Sequence, residues 1–217
     1  MEKSYKYIFF DLDGTLTDPE IGITKSVVYA LEKFGILVED PTILRPFIGP
    51  PLRDSFQKFY GLTKEQCEQA ITFYRERFST TGLYENQIYP NIPELLDKLK
   101  ESGKIIVLAT SKPKDFALKI LEHFKLIQYF DFIAGATLDG SLGEKDEIIT
   151  YALNLCGNPE LSQVIMIGDR CYDILGAKKN GIDSIGVLYG FGSIQELTES
   201  GATYLAKDVL DIFTLIK

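Results

Sequence analysis

Apolar positions along the chain follow two periods, and the change between them divides the sequence. Tyr7-Ile8-Phe9-Phe10 is a continuous apolar run that ends in Asp11-Leu12-Asp13-Gly14-Thr15-Leu16, the pattern of a buried strand that delivers acid at its C-terminal end. Strand residues alternate faces, so Asp11 and Asp13 start on the same side, and Gly14 lets the backbone turn away. From about Thr17 to Glu85 the period becomes helical. Ile23, Val27, Ala30, Leu31 and Phe34 predict a helix stopped by Gly35. Leu52, Phe56 and Phe59 predict a second that ends at Gly61. Thr63 with Gln66 has the form of a capping box ahead of the stripe Cys67, Ala70, Ile71, Tyr74 and Phe78.

A further helix is expected between Pro90 and Gly103, with Asn91 at its start, Pro93 in its first turn and Ile92, Leu95, Leu96 and Leu99 inward. Strands and helices then alternate. Strands are expected at Ile105–Ala109, Phe130–Ala134, Val164–Ile167 and Ser184–Leu188. Helices are expected from Pro113, over Glu144–Cys156 and over Cys171–Asn180 with Gly181 as stop; Tyr204-Leu205 predicts an edge strand before a final helix. This alternation predicts an α/β fold: a doubly wound, Rossmann-like parallel sheet core from residues 1–16 and 86–217, with an inserted α-helical cap over 17–85. Ligands of such sheets sit in the crevice outside the strand C-terminal ends, and the inserted block is expected to act as a lid there.

Composition narrows the partners. The 217 residues are 45% hydrophobic and 25% charged, with net charge −8, an ordinary globular profile. No basic run exists that would neutralise a phosphate backbone, so a nucleic acid polymer is not an expected partner. The acidic surface would repel an anionic substrate, and a phosphate site must supply its own positive potential from a metal and a lysine. Cys67, Cys156 and Cys171 are three widely spaced cysteines, expected to be reduced thiols. The lead Met1–Lys6 lacks the apolar core of a signal peptide, and no transmembrane stretch occurs, so a cytoplasmic address without a membrane partner is expected. The expected assembly is a monomer or weak homodimer.

Asp11 and Asp13 held close together repel and call for a cation, a shared proton or both. Mg²⁺ fits, because it takes one or two carboxylates and keeps positions for water and substrate phosphate. A turn after a strand also favours Asp and Gly, but two further strands end in matching polar groups: Thr110-Ser111-Lys112, and Gly168-Asp169 followed by Asp173. Turn chemistry alone does not demand that convergence. Other features carry less. His123 is a lone histidine expected mid-helix and at the surface. Gly190-Phe191-Gly192 lacks the third glycine of a dinucleotide fingerprint, having Gln195 there, and is expected as a flexible loop. Gly135 to Gly140 has P-loop spacing, but Ser141-Leu142 replaces the required Lys-Ser/Thr pair.

In order and strand context these residues resemble the haloacid dehalogenase superfamily in its phosphatase branch. Asp11-Leu12-Asp13-Gly14-Thr15 is similar to its first motif, Thr110 to its second, Lys145 in Gly143-Glu144-Lys145 to its third, and Gly168-Asp169 with Asp173 to its fourth. The resemblance implies a phosphatase with Asp11 as nucleophile, forming an aspartyl phosphate, and Asp13 as general acid and base. It implies Mg²⁺ held by Asp11, the backbone carbonyl of Asp13 and Asp169, with Asp173 orienting these ligands from behind. Thr110, Ser111 and Lys145 are then the phosphate-binding residues. Asp13 argues against dehalogenation, and also fits poorly with a phosphonate-cleaving enzyme, for which Lys25, Lys33, Lys58 and Lys64 offer cap lysines. The expected substrate is a small phosphorylated metabolite. Phe47-Ile48-Gly49-Pro50-Pro51-Leu52-Arg53 is similar to the cap loop of phosphoglycolate-phosphatase-like and 5′-nucleotidase-like members, with Arg53 the candidate substrate contact. β-Phosphoglucomutase-type transfer and a non-catalytic phosphate-binding regulatory module are the alternatives.

Overall fold

The structure, a computed structural model, describes residues 4–216; the first three residues of the N-terminal lead and Lys217 lie outside the described residues. Two compact units divide the chain, Met1–Asp18 with Ile88–Lys217, and Pro19–Gln87. In chain order, β1 (Tyr7–Phe10) and β2 (Thr17–Asp18) precede the helices of the second unit, α1 (Glu20–Glu32), α2 (Leu52–Tyr60) and α3 (Lys64–Arg77). Then follow β3 (Gln87–Ile88), α4 (Ile92–Glu101), β4 (Ile105–Pro113), α5 (Lys114–His123), β5 (Phe132–Ala136), α6 (Lys145–Leu155), β6 (Val164–Gly168), α7 (Cys171–Lys179), β7 (Asp183–Val187), α8 (Ile194–Ser200), β8 (Tyr204–Ala206) and α9 (Asp211–Leu215).

Six strands of the first unit form one parallel sheet in the order β5-β4-β1-β6-β7-β8. Ile8, Phe9 and Phe10, Ile106 to Ala109, and Val164 to Ile167 are fully buried, which is why these strands read as unbroken apolar runs: helices cover both faces. Phe9, Val107 and Met166 pack with Ile148, Ile149 and Ala152 of α6, so α6, whose first residue is Lys145, is pinned to the sheet by its apolar stripe. Truncating Phe9 to Ala would cost about 3–5 kcal/mol.

The helical unit follows its sequence pattern closely. Thr63 accepts from the Gln66 N–H at 3.3 Å while the Gln66 side chain accepts from the Thr63 N–H at 2.9 Å, completing the capping box of α3. Gly61 ends α2 in the left-handed conformation, and Cys67, Ala70, Tyr74 and Phe78 are buried. A 3₁₀ segment over Pro41–Phe47, begun by the Asp40 side chain, precedes α2.

Several boundaries differ from expectation. β4 does not stop at Ala109 but runs to Pro113, with a register shift against β5 between Thr110 and Pro113. β5 starts at Phe132 rather than Phe130, because a 3₁₀ turn over Ile127–Tyr129 occupies the approach. Asn91 precedes α4 at φ 68° without a side-chain cap. His123 ends α5 rather than lying in its middle and is exposed. The short helix α8 has no expected counterpart: it buries only Leu197, too little for a stripe, and is started by Ser193, which accepts from the Glu196 N–H at 3.0 Å. No helix among the described residues is long and apolar enough to cross a membrane.

Candidate active site

Strand order and register bring the polar residues together. β1 lies between β4 and β6, and Phe10 is level with Leu108 on one side and Ile167 on the other. Asp11 continues the ladder, its N–H donating to the Ile167 carbonyl at 2.9 Å. Asp11, Thr110 and Asp169 therefore emerge side by side at the C-terminal edge, where the sheet reverses its winding and ligands of such folds bind.

Asp11, Asp169 and Asp173 are all buried, and each offers a carboxylate oxygen within 4.8 Å of the others. One ammonium faces them. Lys145 Nζ lies 2.8 Å from Asp11 Oδ1 and 2.9 Å from Asp173 Oδ1, and donates to the Ala109 carbonyl at 3.1 Å. Three carboxylates against one directly paired ammonium, with the Arg170 guanidinium acting on Asp169 as a weaker influence, leave an excess of negative charge in a buried space. The cost appears in acidity. Burial, with the charge of Asp173 adding, raises the Asp169 pKa well above the carboxylate range. Burial likewise pushes Asp173 up to about 6, with Lys145 opposing and Asp11 adding. Burial works against the charge on Lys145, but Asp11 and Asp173 outweigh it and raise its pKa.

Asp169 is held by its surroundings. Its Oδ2 accepts the Phe191 N–H at 2.8 Å, while its buried Oδ1 has no hydrogen-bond partner among the described residues. The stretch Gly190-Phe191-Gly192 is thus not a free loop but part of the site. A Cβ on Gly190 would lie 2.4 Å from both Asp169 Cβ and the Gly14 carbonyl oxygen, and one on Gly14, where φ is 83°, would lie 2.2 Å from Asp169 Oδ2. Only glycine lets both segments close on the carboxylate. A fully buried acid with one unsatisfied oxygen, beside two further acids and an excess of negative charge, suits a hard divalent cation with oxygen ligands. Asp173 belongs to this cluster as well as accepting the Arg170 N–H at 3.1 Å.

Asp13 has a different partner. Lys112 Nζ lies 2.6 Å from Asp13 Oδ2, both side chains being largely buried. Burial raises the Asp13 pKa, and Lys112 opposes that rise. Thr110 is buried and its hydroxyl accepts the Lys112 N–H at 3.2 Å; Ser111 between them is half-buried. The first unit thus gathers Asp11, Asp13, Thr110, Ser111, Lys145, Asp169 and Asp173. Arg53 belongs to the helical unit, where it is 57% exposed and ion-paired with Glu68. Two contributors were visible in sequence without these roles, Lys112 as the last residue of a polar strand end and Gly190 in a stretch expected as a flexible loop; the contacts of Lys112 with Asp13 and of Gly190 with Asp169 form only in three dimensions.

Over 205 residues the chain is 46% identical to a Pseudomonas aeruginosa 5′-nucleotidase, covering 94% of this chain and 92% of that protein. It is 36% identical over 201 residues to the tyrosine-protein kinase PtkA of Mycobacterium tuberculosis, covering 93% of this chain and 68% of the relative. The crystal structure of a predicted phosphatase from Clostridium acetobutylicum superposes with a TM-score of 0.95 at 50% identity, covering 98% of each chain. Residues 8–187 match the family model described as haloacid dehalogenase-like hydrolase. That span runs from β1 through β7 and takes in every acid and lysine of the site, and the chain belongs to this family, as one of its phosphatases.

Proposed function

We propose that the protein is a Mg²⁺-dependent phosphomonoester hydrolase that works through a phosphoryl group carried on Asp11, with a small phosphorylated metabolite of the nucleoside 5′-monophosphate kind as substrate. The observation that carries this reading is the buried cluster Asp11, Asp169 and Asp173 facing the ammonium of Lys145. Asp11, Asp169 and the backbone carbonyl of Asp13 would hold the ion, with Asp173 beside them. When bound, the ion supplies the missing positive charge and stabilises the phosphoryl oxygens.

The chain's own residues divide the remaining work. Asp11 attacks phosphorus, forming the acyl phosphate as the bond to the leaving oxygen breaks, and Asp13 gives that oxygen a proton. Asp13 then takes a proton from water as the water oxygen bonds to phosphorus and the Asp11–phosphorus bond breaks. Lys145, Thr110 and Ser111 donate to the oxygens of the group in transfer. The name of the Pseudomonas relative supports the nucleotide class. The name of the mycobacterial relative favours a second reading, in which the acyl phosphate passes to a hydroxyl acceptor rather than to water.

The test is phosphate release by the purified protein with Mg²⁺ across nucleoside monophosphates, sugar phosphates and phosphoglycolate. Free phosphate from the nucleotides is the expected result. Transfer to an acceptor without free phosphate would replace hydrolysis by the second reading, and neither product with any ester would leave only a phosphate-binding role.

A further inference from the structure

Lys112 is buried and charged, and the reaction above gives it no task. Placing an ammonium in such a space is costly without a partner, and the chain spends unusual backbone geometry on doing so. β4 loses its register with β5 between Thr110 and Pro113, and the Lys112 N–H is tied back to the Thr110 hydroxyl at 3.2 Å. The side chain then reaches Asp13 Oδ2 at 2.6 Å.

Asp13 is fixed from the other side as well. Its backbone bridges to Thr17, the Gly14 N–H donates to the Thr17 carbonyl at 2.8 Å, and the Thr17 N–H donates to the Leu12 carbonyl at 3.1 Å. This tight turn fixes the backbone of Asp13, and the ion pair with Lys112 holds its carboxyl group. The other oxygen, Oδ1, is buried and has no hydrogen-bond partner among the described residues.

We propose that Lys112 is a positioning residue for Asp13: by holding Oδ2 it fixes the carboxyl orientation and leaves Oδ1 as the oxygen that gives and takes the proton. This rests on the hydrolase reading. It differs from a role for Lys112 on the phosphoryl group, because a lysine bound to phosphoryl oxygens would act on every ester alike. A lysine acting through the general acid matters most when the leaving oxygen needs a proton.

Leaving-group dependence makes that distinction measurable. K112M and K112R are compared with wild type in single-turnover release of the leaving group from a nucleoside 5′-monophosphate, whose alkoxide needs protonation, and from 2,4-dinitrophenyl phosphate, whose phenolate does not. K112M is expected to lose about 10- to 100-fold more on the nucleotide than on the dinitrophenyl ester. K112R, which keeps a cation within reach, is expected to narrow that gap. Should K112M melt below the assay temperature, K112Q enters the same comparison. Equal losses on both esters, or no loss on either, would overturn the assignment. Wild type that releases neither leaving group would instead remove the hydrolase reading before any variant is made, and the role of Lys112 with it.

Discussion

The two units of the chain bury different kinds of polar group. Buried in the first are Asp11, Asp169, Asp173, Lys112 and Lys145 together with hydroxyls such as Thr15 and Thr110; the polar side chains buried in the helical unit, among the described residues, are the hydroxyls of Thr24, Ser26 and Ser55. Two of these hydroxyls are satisfied within their own helix, Thr24 donating to the Glu20 carbonyl at 2.7 Å and Ser26 to the Gly22 carbonyl at 2.7 Å, while Ser55 Oγ has no hydrogen-bond partner among the described residues. Buried charge has no such local remedy. The sheet unit maintains a costly constellation of buried charge, whereas the ion pairs of the helical unit keep contact with solvent, from the exposed Arg45 and Lys25 ends of their pairs to the half-buried Arg77–Glu85 pair. Chemistry is expected to follow the buried charge, and substrate choice to follow the outward side chains.

The largest test of this division is Asp11→Asn, which keeps size and shape while removing nucleophile and charge. We expect turnover to fall by about 10³-fold or more, with the fold retained because the amide matches the carboxylate in size and Lys145 keeps its pair with Asp173. Wild-type turnover would break the comparison at its centre. Gly190→Ala is next. Its methyl group would occupy the space of Asp169 and the Gly14 carbonyl, costing about 1–3 kcal/mol by overpacking and most of the activity. A variant with wild-type kinetics and melting would show that Asp169 needs no such cradle.

Titration offers a third test. The raised pKa values of Asp169 and Asp173, the latter about 6, mean that the metal-free folded chain binds more protons than the unfolded chain once pH passes about 4, the ordinary aspartate value. Metal-free stability therefore falls as pH rises through that window. Mg²⁺ should offset the loss, so its increment in melting temperature is expected to be largest near pH 7 and above and to shrink as pH drops below 6. An increment independent of pH would place the ion elsewhere. The smallest effect belongs to the helical unit. Arg53→Ala removes an exposed ion pair and should change stability by less than about 1 kcal/mol. If Arg53 selects substrate, kcat/KM falls for the nucleotide and stays level for para-nitrophenyl phosphate; equal losses on both esters, or no loss on either, would end its role in specificity.

Much of the fold was readable before the structure, because parallel strands covered on both faces and capped amphipathic helices leave strong periodic signals. The apolar runs Tyr7–Phe10 and Val164–Ile167 announced both their burial and the acids beyond their ends, and Thr63 with Gln66 announced α3. What escaped depends on contacts distant in sequence. Lys112 reaches Asp13 from the stretch of β4 beyond Thr110 where the register with β5 shifts. Gly190-Phe191-Gly192 looks free in sequence because its partner, Asp169, is remote along the chain. Asn91 has the composition of a helix cap, yet it sits at φ 68° and its side chain makes no capping bond, since Asn tolerates that backbone as readily as it caps.

The central claim, that phosphorus passes through Asp11, is tested most directly by trapping. Rapid acid quench during turnover of a nucleoside 5′-monophosphate with Mg²⁺, followed by borohydride reduction and peptide mass spectrometry, would convert an acyl phosphate into the corresponding alcohol on its own residue. The account predicts reduction at Asp11 in wild type and none in the Asp11→Asn protein. Turnover that leaves Asp11 unmodified, or reduction at Asp13, Asp169 or Asp173 in its place, would contradict it.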